Sequence, residues 1–140
     1  MKTARILLVL IVIFSLASLS LSENAKKIVD RSHMIKRDGL LYEVGSDTPF
    51  TGTVVKYWPS GQKKLDAEYL DGDGHGKFIW WHANGKKWIE GDSKNGKLQG
   101  KVIWWRDNGQ KKGEFEYHDG EKKNIQYWDE DGNPTLSPCE

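Results

Sequence analysis

The chain has 140 residues, 37% of them hydrophobic and 29% charged, which fits one ordered soluble domain and argues against disorder as the default. Its 21 basic and 20 acidic residues nearly cancel, so it lacks the basic field that nucleic-acid binding or recruitment to an anionic membrane requires. Seven tryptophans and fifteen glycines suggest many turns with large side chains placed between them at intervals.

In chain order, the first element is a leader. Lys2 and Arg5 precede the apolar run Ile6–Phe14, and Ser15–Ser22 continues it with small residues among leucines. That order is the pattern of a secretory signal peptide. Ser20 and Ser22 occupy the −3 and −1 positions of a cleavage site, which would start the mature chain at Glu23 and place it in the periplasm, the cell envelope or outside the cell. An uncleaved anchor is the alternative, although the strictly apolar stretch is short against the ~20 residues of a spanning helix. Without Lys2 and Arg5 the chain keeps 19 basic residues against 20 acids, a net charge of −1. Residues 23–36 read as a loose polar lead. Residues 37–52, RDGLLYEVGSDTPFTG, read as an N-terminal cap over the edge of the first hairpin.

Residues 53–134 carry an internal repeat. Gly52-TVVKYWPS-Gly61, Gly76-KFIWWHAN-Gly85 and Gly100-KVIWWRDN-Gly109 align with a 24-residue period, and the following segments close on Gly72, Gly96 and Gly120. A fourth copy starts at Asn124 and reaches Gly132 one residue early, so there are three full units and one half unit, with a tail over 135–140. Each unit reads as a β-hairpin. Its first strand is β-branched and aromatic. Its three-residue turn ends on a left-handed glycine at Gly61, Gly85, Gly109 or Gly132. An Asp-Gly or Asn-Gly pair turns the chain again. The fold class is all-β, an elongated antiparallel meander of repeated hairpins in which each unit touches mainly its neighbours.

Counting back from the turn assigns the faces. Trp58 opposite Gln62 puts Val55 opposite Leu65. An apolar face then holds Val55, Tyr57, Leu65, Ala67 and Tyr69, then Ile79, Trp81 and Ile89, then Ile103, Trp105, Phe115 and Tyr117. The acids Asp66, Glu68, Glu90, Asp92, Glu114 and Glu116 fall on the other face with Trp80, Trp88, Trp104 and, in register, Tyr127. On this reading Trp81 and Trp105 are core. Trp80, Trp88, Trp104 and Tyr127 form an aromatic row among charges, a candidate face for an extended peptide or a glycan. The alternative is that these rings pack on one another and under lysine stems.

The repeat Gly-x-[Val/Phe]-Ile-Trp-Trp-x-x-Asn-Gly-[Gln/Lys]-Lys, with its following acids and Asp-Gly turn, resembles the MORN-variant repeat of bacterial proteins described as YwqK-type antitoxins. Arg37–Tyr42 and Pro49–Gly52 resemble the lead of such repeats. The resemblance covers about residues 37–134 and implies an interaction or scaffolding module, with a protein as the expected partner and lipid contact left open. It carries no catalytic residues.

No cofactor, metal or catalytic site is expected. His33, His75, His82 and His118 share no ligand spacing. His82 stands where the other units have Trp58 and Arg106, which suggests a solvated edge. Cys139 is the one cysteine, so it has no internal disulfide partner. A binding module, a structural spacer of the envelope and an antitoxin-like protein are the readings that remain.

Overall fold

The computed structural model describes residues 26–137. The leader, with its proposed cut at Ser22, and Cys139 lie outside the described residues. Strands take 62% of the described chain, and its one helical segment is a 3-10 turn at Arg31–His33, so the all-β expectation holds. Nine strands form one sheet in the order β1 (Ile28–Asp30), β4 (Gly52–Tyr57), β5 (Lys63–Leu70), β6 (Asp73–Trp81), β7 (Lys87–Lys94), β8 (Lys97–Trp105), β9 (Lys111–His118), β10 (Glu121–Trp128) and β11 (Pro134–Thr135). From β4 onward this is an antiparallel meander in sequence order. β2 (Met34–Arg37) and β3 (Leu40–Glu43) form a separate two-stranded hairpin.

Two kinds of turn alternate. At one end of the strands, Asp71-Gly72, Asn95-Gly96 and Asp119-Gly120 all have positive φ at both positions, the type I′ geometry that matches strand twist. At the other end, the Trp58 N–H donates to the Gln62 carbonyl at 2.8 Å and the Gly61 N–H donates to the Trp58 carbonyl at 2.8 Å. The turns before Gly85, Gly109 and Gly132 repeat this pair of bonds. Gly61, Gly85, Gly109 and Gly132 have φ of +84°, +82°, +91° and +85°, as a three-residue turn closed by a left-handed glycine requires.

The face assignment of the first strands is overturned one step past the turn. Tyr57 pairs with Lys63, but Lys56 pairs with Leu65, so Lys64 is an extra, unpaired residue. Trp88 and Lys112 are the corresponding extra residues of the next two hairpins. A bulge of one residue flips every later side chain of one strand relative to its partner. Val54, not Val55, therefore shares a face with Ala67.

A second irregularity explains the early Gly132. Ala67 pairs with Phe78 and Tyr69 with Gly74, which leaves three residues of β6 opposite one of β5. The same offset lies between Glu90↔Ile103 and Asp92↔Gln99. Gly76 and Gly100 sit in these offsets with φ of +105° and +69°. The fourth unit has Asn124 at that phase. There Tyr117 pairs with Lys122 and Glu116 with Asn124, so only Lys123 is extra. The fourth unit is one residue shorter because it lacks the glycine that the wider offset uses.

The lead is not loose. Ile28–Asp30 runs parallel to Thr53–Val55 and covers the edge of β4. The Lys27 carbonyl accepts from the Thr53 N–H at 2.7 Å. A Cβ on Gly52 would lie 2.4 Å from that oxygen, so only glycine admits the approach. The cap does not lie over the edge either. Met34, Leu41 and Phe50 close on Val54, which is fully buried, with Val29 and Tyr69 packed around them. Backbone bonds from Leu41 to the Gly72 carbonyl and from Gly72 to the Phe50 carbonyl, both 2.9 Å, tie this cap to the first Asp-Gly turn.

Candidate interaction face

The register sorts the sheet into two unlike faces. One row crosses it as Leu65, Trp80, Ile89, Trp104, Gly113 and Tyr127. Beside it run Val54, Ala67, Phe78 and Gly91, then Val102, Phe115 and Ile125. This is the aromatic face. The opposite, acidic face has the row Val55, Asp66, Ile79, Glu90, Ile103, Glu114 and Gln126.

Trp80, Trp88, Trp104 and Tyr127 do share a face, but it is the apolar one, and the carboxylates are behind them. Trp88, the bulge residue, meets Trp80 edge-on at 6.3 Å and lies 5.8 Å from the His82 ring. Trp104 meets Phe115 at 5.3 Å, and Phe115 meets Tyr127 at 5.6 Å, both edge-to-face. The strand glycines make this packing possible. A Cβ on Gly91 would lie 2.9 Å from the Phe78 ring, and one on Gly113 would lie 3.0 Å from the Phe115 ring. A single-layer sheet leaves the rings half covered, with Trp88 40% and Trp104 38% exposed.

Trp81 and Trp105 are not core. They stand on the acidic face, each beside a lysine of the preceding strand. Lys63 Nζ lies 5.7 Å from the Trp81 ring, Lys87 lies 5.7 Å from Trp105 and Lys111 lies 4.8 Å from Trp128. The same lysines pair with the acids three residues on: Lys63 with Asp66 at 2.8 Å, Lys87 with Glu90, and Lys111 with Glu114 at 2.9 Å. Lys101 also reaches Glu114 at 2.8 Å. Hydrogen bonds from Lys101 and then Lys111 hold the Glu114 carboxyl below its usual range, and the bond from Lys26 does the same for Glu68. These exposed pairs keep the acidic face internally neutral more than they stabilise it. Among the described residues no three of His, Cys, Asp and Glu converge on one point.

His82 is not on a solvated edge. The slot it shares with Trp58 and Arg106 carries one task with three chemistries. Trp58 Nε1–H donates to the Trp81 carbonyl at 3.1 Å, His82 Nε2 lies 3.2 Å from the Trp105 carbonyl, and Arg106 Nη2–H donates to the Trp128 carbonyl at 2.9 Å. A carbonyl only accepts, so His82 carries its proton on Nε2. Sequence comparison between the units shows the variation at this slot, and the shared ability to donate an N–H is the signal that it has a function. Asn84 to the Asp107 carbonyl, 2.7 Å, and Lys86 to the Asn108 carbonyl, 2.7 Å, add further ties between successive turns.

Compared with curated proteins and with solved structures, the chain has no match. Two stretches, residues 74–95 and 98–119, match the family model described as MORN repeat variant. The first stretch takes in β6 and β7 and the second β8 and β9, one hairpin apiece, and the structure continues the same pattern into the hairpins on either side.

Proposed function

We propose that this chain is a non-catalytic, exported β-repeat module that holds a protein partner on its aromatic face. MORN repeats are commonly binding modules, which supports the class of function. The observation that carries the reading is the open pair Trp88 and Trp104 beside the half-buried Trp80: the cap packs on the face around Val54, and the later units leave these two large rings exposed. Large aromatics with an apolar body and a polar atom are the side chains that dominate protein interfaces. The basic, apolar and small-residue order of residues 1–22 supports export.

Affinity capture from native envelope fractions tests this. A partner recovered by the unmodified protein is expected to be lost with Trp88→Ala and Trp104→Ala, and kept with Trp81→Ala on the acidic face. Undiminished capture by the first two variants, confirmed folded by circular dichroism, would instead favour a spacer role. The intact mass of the exported protein tests the cut after Ser22.

A further inference from the structure

We infer that the aromatic face takes an acidic polypeptide segment, one that sets carboxylates beside apolar side chains. This rests on the reading of that face as a binding surface and adds the chemistry of the partner.

Register segregates charge between the two faces of the sheet. The second strands place Asp66, Glu90 and Glu114, with Glu68, Asp92 and Glu116, on the acidic face. That face supplies its own counter-charges from Lys63, Lys87, Lys101 and Lys111. The aromatic face has lysines without carboxylates. Lys64 lies 3.7 Å over the Trp58 ring, and Lys122 lies 4.6 Å from the Phe115 ring. Lys112 occupies the bulge position that Trp88 holds one unit earlier. None of these three pairs with an acid among the described residues. The surface therefore alternates rings with unneutralised ammonium groups. A partner complementary to it presents carboxylates to the lysines and apolar groups to the rings. An anionic membrane or a nucleic acid would draw on the long-range field of the whole molecule, and the 19 basic against 20 acidic residues that follow Ser22 leave almost none. Contact chemistry remains, and an extended chain suits it, because alternate side chains of such a chain point to one side ~7 Å apart.

The test is a tryptophan-fluorescence titration of the purified protein with a 16-residue peptide of four Glu-Ser-Leu-Ser repeats. In extended form this peptide offers Glu and Leu alternately on one side. The same peptide with Gln for Glu, and vesicles containing an anionic lipid, are the comparison arms. The Glu peptide is expected to bind at least ~10-fold more tightly than the Gln peptide, with an advantage that shrinks as salt rises. The advantage should disappear in a Lys64→Glu, Lys112→Glu, Lys122→Glu variant and persist in Lys77→Glu, since Lys77 lies opposite Asp92 on the acidic face. Circular dichroism checks that each variant is folded. Equal binding of both peptides, abolished by Trp88→Ala, would overturn the charge inference while leaving the aromatic binding face intact. Binding of neither peptide, or of vesicles alone, would also overturn it, the latter in favour of a lipid surface.

Discussion

Truncation of Phe115 to alanine reaches a well-packed point of the aromatic face outside the cap. Phe115 is 4% exposed and contacts Trp104 in its own unit and Tyr127 in the next, at ring distances of 5.3 and 5.6 Å. A buried phenylalanine removes roughly 150–200 Å² from water, worth ~4–5 kcal/mol at about 25 cal/mol/Å². That is an upper bound, because the denatured chain already buries some of the area. Phenylalanine-to-alanine changes in cores cost about 3–5 kcal/mol. One layer of sheet lets neighbours relax into the space, so ~3 kcal/mol is expected. Urea melts followed by far-UV circular dichroism measure it. A double-mutant cycle with Tyr127→Ala should show a coupling of about 0.5–1.5 kcal/mol, the range for an edge-to-face pair. A loss under ~1 kcal/mol for Phe115→Ala, or no coupling, would refute the packing of the fourth unit on the third.

Three further outcomes come from the geometry. At Gly61, φ is +84° and a Cβ would have no heavy atom within 4 Å, so Gly61→Ala should cost ~1–2 kcal/mol through the backbone alone, and Gly61→Asn less, both read from melts. Arg106→Ala removes bonds to the Trp128 and Lys111 carbonyls at 2.9 and 3.2 Å; it should cost ~2 kcal/mol and raise amide exchange around Asp129–Asn133 more than in the second unit. Glu114 is held below the 4.5 of a free glutamate, so the unfolded chain takes up its proton first as pH falls; its contribution is full above about pH 4.5 and fades as pH drops through the lower folded value, and Glu114→Gln should flatten that part of the acid limb in pH-dependent melts.

The repeat period and the turn chemistry were legible because glycine and Asx-Gly pairs announce left-handed backbone directly. The second strands were also legible, since Leu65, Ala67, Phe115 and the six acids fall on the faces that simple alternation gives them. The first strands were not. The residue that shifts the register is Lys64, Trp88 or Lys112, and no side-chain type marks a bulge of this kind. A clue was present in Gly91 and Gly113, glycines inside strands, whose missing side chains are explained by rings from Phe78 and Phe115 occupying the space. Alternation groups Trp80, Trp88, Trp104 and Tyr127 correctly as one row but sets carboxylates beside it that the bulges put on the opposite face. The donor slot of Trp58, His82 and Arg106 is hidden from residue type, because hydrogen-bonding capacity is the one property these three side chains share. The strand at Ile28–Asp30 is three residues long and parallel to a distant partner, so no local pattern reports it.

The order of strands in the sheet has a mechanical consequence. β1 and β11 lie at opposite margins, and from β4 to β11 the strands lie side by side in chain order. Tension applied between those margins runs across the strands, along the hydrogen bonds, and passes through every ladder in series, so the weakest ladder opens first, whereas tension along the strands would shear the rungs of a ladder together. The three donor slots, each bridging to the next unit's carbonyl, add a catch where one hairpin meets the next. A module built this way gives way strand by strand at modest force, with the cap at one margin yielding separately. It would lengthen under load while its inner units kept their shape.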